Sequence, residues 1–366
     1  MAYSTNHQCP ACTGPLRFDA KTNLLVCDYC DSKFPVEQID AAYAQKIKQG
    51  MEKGMGASAG EQAQAKEFGT NHLKTYTCSS CSAQLFCDEV TVATSCPYCG
   101  NPNVIAGKFS GGQMPDVVIP FKMEKKEAIE ALSKFYKGKK LLPKVFSAQN
   151  HIEEVKGVYV PFWFYSGNAD VNLKAAATRA AVHRTSKEII TTTSHYVVER
   201  KGNVSFENVP VDASKKMDND MMDSLEPFDY SDLKKFTPSY LPGFLAEAYD
   251  ENPQECVGRL EGRVSKTAAW EMERDIVGYD SVSVIKRDVK VNLQGRPKYA
   301  FLPVWLLSTR YKDKNYLFAM NGQTGKMVGK LPVDKGHFCG WFFGVAFGVA
   351  AVLTPIIYFA IMKAGL

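Results

Sequence analysis

One cysteine spacing occurs twice in this chain: Cys9-x2-Cys12-x14-Cys27-x2-Cys30 and Cys78-x2-Cys81-x14-Cys96-x2-Cys99. A Cys-x2-Cys pair presents two thiolates from one tight turn. A second pair, returned by a short hairpin, completes four soft ligands at the corners of a tetrahedron, the geometry Zn²⁺ takes. Random placement of 11 cysteines would almost never repeat the same inner gap. The pattern predicts two small, β-rich zinc ribbons. Four protein ligands leave no open position for water or substrate, so both zinc ions are expected to be structural. The competing reading is a disulfide framework. Met1 to Pro10 is polar and has no apolar signal core, so reducing surroundings are expected, and these favour metal. Cys87, Cys256 and Cys339 lie outside the two sets and are expected as free, mostly buried thiols.

The other end of the chain is a different material. Trp341 to Met362 is a run without a charge. As a helix it is about 33 Å long at 1.5 Å per residue, against a hydrocarbon core of about 30 Å. Trp341 and Tyr358 stand near its ends, as interfacial aromatics do, and Pro355 is tolerated in a spanning helix. Lys326, Lys330 and Lys335 precede the run and Lys363 follows it, which places the preceding residues in the cytoplasm. The expected protein is tail-anchored in the cell membrane, single-pass, with its bulk cytoplasmic.

Between these ends the sequence predicts five parts: zinc ribbon 1 over residues 5–35, a helical and flexible spacer over 36–72, zinc ribbon 2 over 73–107, an α+β body over 111–334, and the transmembrane helix over 341–362. In the spacer, Ile39, Ala42, Tyr43 and Ile47 share one helical stripe that stops at Gly50. Residues 50–60 read as a flexible linker, with a short helix at 61–68. The body is read as mainly antiparallel. Runs at 117–121, 158–164 and 300–306 are aromatic and β-branched, each with a proline that suits an edge or a bulge. The last two share an aliphatic-Pro-x-Trp pattern, which hints at duplication. Ile189 to Arg200 and Asn203 to Val209 flank Lys201-Gly202 as a hairpin. Two helices are predicted: Lys125 to Lys137, ending at Gly138, and Pro253 to Val277, capped by Asn252.

Catalytic signals are poor, and no enzyme activity is expected. Residues 321–326 superficially resemble a phosphate loop through Gly325-Lys326, but its first glycine is missing, with Met320 in that place. Met327 also stands where a magnesium-binding Ser or Thr belongs, so the segment reads as a hairpin turn. His183 and His195 are a possible cross-strand pair among six scattered histidines. Nucleic acid is the rival partner for zinc ribbons, and charge argues against it. Residues 1–107 carry eight Lys and Arg against ten Asp and Glu, and each tetrathiolate zinc adds about −2. A phosphate-tracking module needs the opposite sign. The densest basic stretch, Lys122 to Lys144, has eight lysines against three glutamates. It is either the solvated face of a helix or a surface for anionic lipid. Gly340, Gly344 and Gly348 form two G-x-x-x-G steps, which suit a homodimer through the helix.

The two cysteine sets, Cys96-Pro97-Tyr98-Cys99-Gly100-Asn101, Val160-Pro161-Phe162-Trp163 and Ser239-Tyr240-Leu241-Pro242-Gly243-Phe244 together resemble bacterial transcription-factor-B-type zinc-ribbon membrane proteins. Proteins of that kind are often encoded beside phage-shock-like coiled-coil and SPFH/flotillin-like proteins. The resemblance implies a role in membrane stress or membrane-complex assembly with partners of those kinds. The first knuckle departs from the pattern, because its glycine comes one place late in Cys9-Pro10-Ala11-Cys12-Thr13-Gly14. The expected function is a non-enzymatic membrane adaptor that recruits protein partners. The alternative is a membrane-tethered regulator that binds nucleic acid through a ribbon.

Overall fold

The computed structural model describes residues 9–53, 73–80, 82–88, 96–98, 104–108, 114–143, 146, 152–186, 188–312 and 314–364. Three short strands open the chain as an antiparallel sheet: β1 (Leu16–Asp19), β2 (Leu24–Cys27) and β3 (Lys33–Pro35). Helix α1 (Val36–Lys53) follows and runs on past Gly50, where the sequence predicts its end. The remaining linker and the short helix expected at 61–68 lie outside the described residues.

Then come β4 (Leu73–Cys78), β5 (Gln84–Asp88), β6 (Val104–Lys108), β7 (Val117–Val118), α2 (Lys125–Tyr136), β8 (Ile152–Arg184) and β9 (Ile189–Asp212). They are followed by α3 (Asn219–Ser224), β10 (Lys234–Lys235), β11 (Leu245–Glu247), α4 (Pro253–Arg274), β12 (Ser281–Tyr311), β13 (Lys314–Asn321), β14 (Met327–Gly329) and α5 (Lys335–Ala364). Among the described residues β4 to β14 form one 11-stranded mixed sheet. Most pairs are antiparallel, but β7 joins β12 and β11 joins β8 in parallel.

The sheet is built around β8 and β12, which pair antiparallel over most of their lengths. Successive side chains point to opposite faces, and near the middle of this pair both faces are buried. Tyr159, Trp163 and Tyr165 enter the core under α2 and α4, and Val158, Val160, Phe162 and Phe164 enter a second core on the other face. This explains the unbroken apolar runs. They are central strands, and the pairing has no bulge at Pro161 or Pro303, so neither the edge nor the bulge that the prolines suggest is found there.

Pro161 and Pro303 sit at breaks in the neighbouring strands. Beside Pro161 the pairing partner of β8 changes from β11, at 158–159, to β9, from Phe162 on. Pro161 O accepts from Ala213 N on that side. The ring nitrogen faces the same break, where no donor is needed. Pro303 does the same between β7 and β13, accepting from Gly322 N.

These contacts recur by a local two-fold. Asp250 and Glu251 N–H donate to Ala213 O, as Lys122 and Met123 N–H donate to Gly322 O. Trp163 Nε1 donates to Glu251 O at 2.9 Å and Trp305 Nε1 to Met123 O at 2.9 Å. Each carbonyl lies just before a helix closed by a capping box, Glu124 with Glu127 for α2 and Asn252 with Glu255 for α4.

Away from this centre β8, β9 and β12 extend as an arm. One face, Ala169, Val171, Leu173, Ala175 and Ala177, is buried against Leu260, Val264 and Ala268 of α4. The arm contains no turn at Lys201-Gly202: β9 runs straight through, with Gly202 opposite Val171. A Cβ at Gly202 would lie 2.9 Å from Met272 Cε, so this glycine makes room for α4. His183 pairs with Ile190 and His195 with Thr178, so the two histidines do not meet. Residues 321–326 form the turn between β13 and β14, with Asn321 Oδ1 accepting from Gln323 N and Thr324 N.

Helix α5 carries the apolar run from Trp341 to Met362, with Pro355 inside it. It is long and apolar enough to cross a membrane, and its described side chains, up to Ile357, are not buried against the rest of the chain.

Candidate metal centre

Cys9, Cys12, Cys27 and Cys30 come together with all four Sγ atoms within 4.8 Å of one another. Cys9 Sγ lies 3.5 Å from Cys30 Sγ, and Cys12 Sγ lies 3.4 Å from Cys27 Sγ. Thiolates held about 2.3 Å from one tetrahedral ion are separated by about 3.8 Å, so the cluster has the size of a metal site. The set could hold one such ion.

Each pair is shaped by the same backbone turn. Cys9 N donates to Gly14 O and Thr13 N to Cys9 O; Cys27 N donates to Ser32 O and Asp31 N to Cys27 O. The fifth residue of each turn is left-handed, Thr13 at φ 62° and Asp31 at φ 54°. Thr13 therefore fills the place expected for glycine. Gly14 answers a different demand: a Cβ there would lie 2.9 Å from the Tyr29 ring and within 3.3 Å of Cys27 Sγ and Cys12 Sγ.

The four thiols act on one another electrostatically. The Ser32 hydroxyl, 3.2 Å away, and the Ser32 backbone lower the Cys30 thiol to about 6. The Gly14 backbone pulls Cys12 down, yet Cys30 and Cys27 beside it push it up to about 12. Ionising one thiol opposes ionising its neighbours, a repulsion that a divalent ion at their centre would offset.

The second cysteine set is described in part. Cys78 N donates to Ala83 O, Ser82 N donates to Cys78 O, and Ser82 is left-handed at φ 56°. This is the turn found at Cys9 and Cys27. Cys78 and Cys96 are buried together with Ala83. Cys81 and Cys99 lie outside the described residues. Of the other cysteines, Cys256 is buried and Cys339 exposed on α5, and the side chain of Cys87 lies outside the described ones.

The two sets are attached to the body differently. The first rests on the segment 239–244. Phe18 packs edge-on against Tyr240 at 5.5 Å and against Phe244 at 6.4 Å, and Phe18 N donates to Pro242 O. Ser239 Oγ donates to Asp40 Oδ1 at 2.5 Å, and Lys21 meets Glu124 at 3.3 Å. Its outer knuckle, Pro10 and Ala11, stays exposed, and Tyr29 is 78% exposed.

The second set does not stand apart as a separate ribbon, because β5 pairs with β11 and so joins the body sheet. Pro97 is buried, and Tyr98 OH donates to Glu247 Oε2 at 2.6 Å. Its Pro-Tyr knuckle is therefore turned inward. Sequence reasoning missed Glu247, a buried carboxyl raised to about 8 by burial, against the opposing pull of Tyr98 and Ser214. A lone glutamate in Leu245–Glu247 carries no signal that its neighbours would bury it.

Among curated proteins the chain is similar to the uncharacterized protein YdjG of Bacillus subtilis (strain 168). The two are 34% identical over 352 residues, covering 96% of this chain and 97% of YdjG. No family model matches the chain, and no solved structure matches it.

Proposed function

The chain belongs to the YdjG family, and on that premise we propose that it is a membrane-anchored docking platform. In this reading Cys9, Cys12, Cys27 and Cys30 hold one structural zinc and Cys78, Cys81, Cys96 and Cys99 a second. Helix α5 crosses the cell membrane once, with the bulk of the chain cytoplasmic. The observation that carries the reading is the first knuckle: it is clamped to the body through Phe18 and Ser239 while Pro10, Ala11 and Tyr29 face solvent.

A metal-set turn held rigidly above a large body presents a partner with a preorganised surface, which lowers the ordering cost of binding. Anchoring raises the effective concentration of whatever docks there. The resemblance to zinc-ribbon membrane proteins adds phage-shock-like and SPFH/flotillin-like proteins as partner classes, with membrane stress or membrane-complex assembly as the setting.

The test is affinity capture from detergent-solubilised membranes, comparing the intact chain with a Pro10→Asp, Tyr29→Ala variant and a chain ending at residue 334. The expected result is a protein partner captured by the intact chain and lost from the knuckle variant. The shortened chain should bind it but leave it in the soluble fraction. Nuclease-sensitive recovery of DNA or RNA would overturn the reading in favour of a tethered nucleic-acid regulator.

A further inference from the structure

The lysines that the sequence scatters over two distant regions converge where α5 leaves the body. Lys140 Nζ lies 4.7 Å from the Trp341 ring centroid, and Asp334 N donates to Leu141 O at 2.9 Å. The turn after α2 is thereby fastened to the start of α5. Lys139 Nζ rests 5.4 Å from the Phe135 ring on the same turn.

The β12–β13 turn reaches the same place. Phe146 packs on Tyr136 at 5.5 Å, on Tyr311 at 5.3 Å and on Tyr316 at 5.4 Å. Lys312 Nζ sits over the Tyr311 ring, and Lys312 is close enough to Asp334 to help hold its carboxyl low, behind the stronger effect of the His337 N–H. Lys139, Lys140, Lys312 and Lys335 are all exposed there, and Lys137 and Lys314 adjoin them, also exposed. Among the described residues Asp334, hydrogen-bonded to His337 N, is an acid beside Lys312, and Asp313, between Lys312 and Lys314 in sequence, lies outside them.

We propose that this lysine cluster is a binding surface for anionic phospholipid headgroups, holding the base of the body against the leaflet that α5 enters. The inference rests on the membrane reading of α5. If Trp341 marks the interface, groups within a few ångströms of it lie at headgroup depth. Clustered lysines on the cytoplasmic side of a spanning helix favour anionic lipid by about fivefold per well-placed residue, and the attraction falls off within a Debye length. An aromatic floor of Phe135, Tyr311 and Trp341 holds the lysine stems in place, so the charges are presented together.

The full-length protein is reconstituted, body outward, into phosphatidylcholine vesicles and into vesicles with three parts in ten phosphatidylglycerol. Each lysine is then labelled with a membrane-impermeant amine reagent and read by mass spectrometry. Lys139, Lys140 and Lys312 should label about fivefold or more slowly in the anionic vesicles and recover in high salt. Lys201 and Lys290 on the arm should be indifferent. Equal rates at the cluster in both vesicles overturn the proposal while leaving the anchor intact. Failure to float with either vesicle overturns the membrane reading instead.

Discussion

Glu247 offers the sharpest test of how the second cysteine set is locked to the body. It is 1% exposed, accepts from Tyr98 OH at 2.6 Å and accepts from Ser214 Oγ at 2.9 Å. Burial raises its pKa to about 8 from 4.5, outweighing the two hydroxyls, which act to lower it. A carboxyl with a raised pKa in the folded state binds more protons folded than unfolded. Its contribution is therefore lost as pH rises from the unfolded value through the folded one. At about 1.4 kcal/mol per tenfold, ionisation costs the fold on the order of 5 kcal/mol above pH 8, and about 3 kcal/mol at pH 7. Glu247→Gln keeps the shape, accepts from Tyr98, donates to Ser214 and cannot ionise. Urea unfolding of the detergent-solubilised protein should show the parent losing about 2 to 3 kcal/mol relative to the variant between about pH 5 and pH 7. Parallel pH profiles would refute the reasoning, because they would mean that the carboxylate reaches water.

Three further outcomes are expected. Arg259→Met should cost about 3 kcal/mol or more by urea unfolding, since it strands Asp212, whose side chain is fully buried and 2.6 Å from Arg259 Nη1. Adding Asp212→Asn should recover most of that loss. Gly322→Ala should destabilise by about 1–3 kcal/mol, because the new Cβ would lie 2.6 Å from the Phe121 ring and 3.0 Å from Pro303 Cβ. Elemental analysis of purified protein should find two zinc ions per chain on the proposed reading, and Cys9→Ser should remove one while leaving Cys256 buried and unreactive to thiol reagents.

What the sequence made legible follows from how local each signal is. The first cysteine cluster was readable because ligand spacing is a chain-local property, and the turns that shape it need only five or six residues. Helix α2 was readable from its stop at Gly138 and α4 from its cap at Asn252, whereas the capping box at Glu124 was not read. The apolar length of α5 was readable by counting. The strand partners were not. Joining β5 to β11 uses backbone hydrogen bonds between residues 85–86 and 246–247, which leave no mark in side-chain pattern. Gly202 read as a turn because glycine is permissive in turns, whereas its role is close approach to Met272, and no local window contains both residues. Pro161 and Pro303 read as edge or bulge markers for the right chemical reason, a missing donor. The donor is unneeded at a break between two neighbouring strands in mid-sheet, so the rule held and the location did not.

The local two-fold shows where the two halves of the body differ. Strand pairing makes Glu247 the counterpart of Ile119 and Asp212 the counterpart of Asn321. Both substitutions put a carboxyl where the other half has a neutral residue, and both serve attachments found in one half alone. Glu247 receives Tyr98 from the second cysteine set, and Asp212 receives Arg259 from α4. The same half has the longer helix, 22 residues in α4 against 12 in α2, and the longer hairpin strand, 24 residues in β9 against 8 in β13. These extensions build the arm at one end of the β8–β12 pair. At the other end Thr309 meets Ile152, beside the turns that hold α5. Strand β8 has 33 residues, so its two ends are separated by up to roughly 100 Å of strand at about 3.3 Å per residue. The first cysteine cluster seats on Phe244 and Glu124, against the stretch of β8 at Gly157, and so belongs to the anchor end. If α5 spans the bilayer, the knuckle lies nearer than the tip of the arm to the place where α5 leaves the body, measured along β8. Extending one half of a two-fold body thus puts the exposed knuckle toward one end of β8 and the tip of the arm at the other.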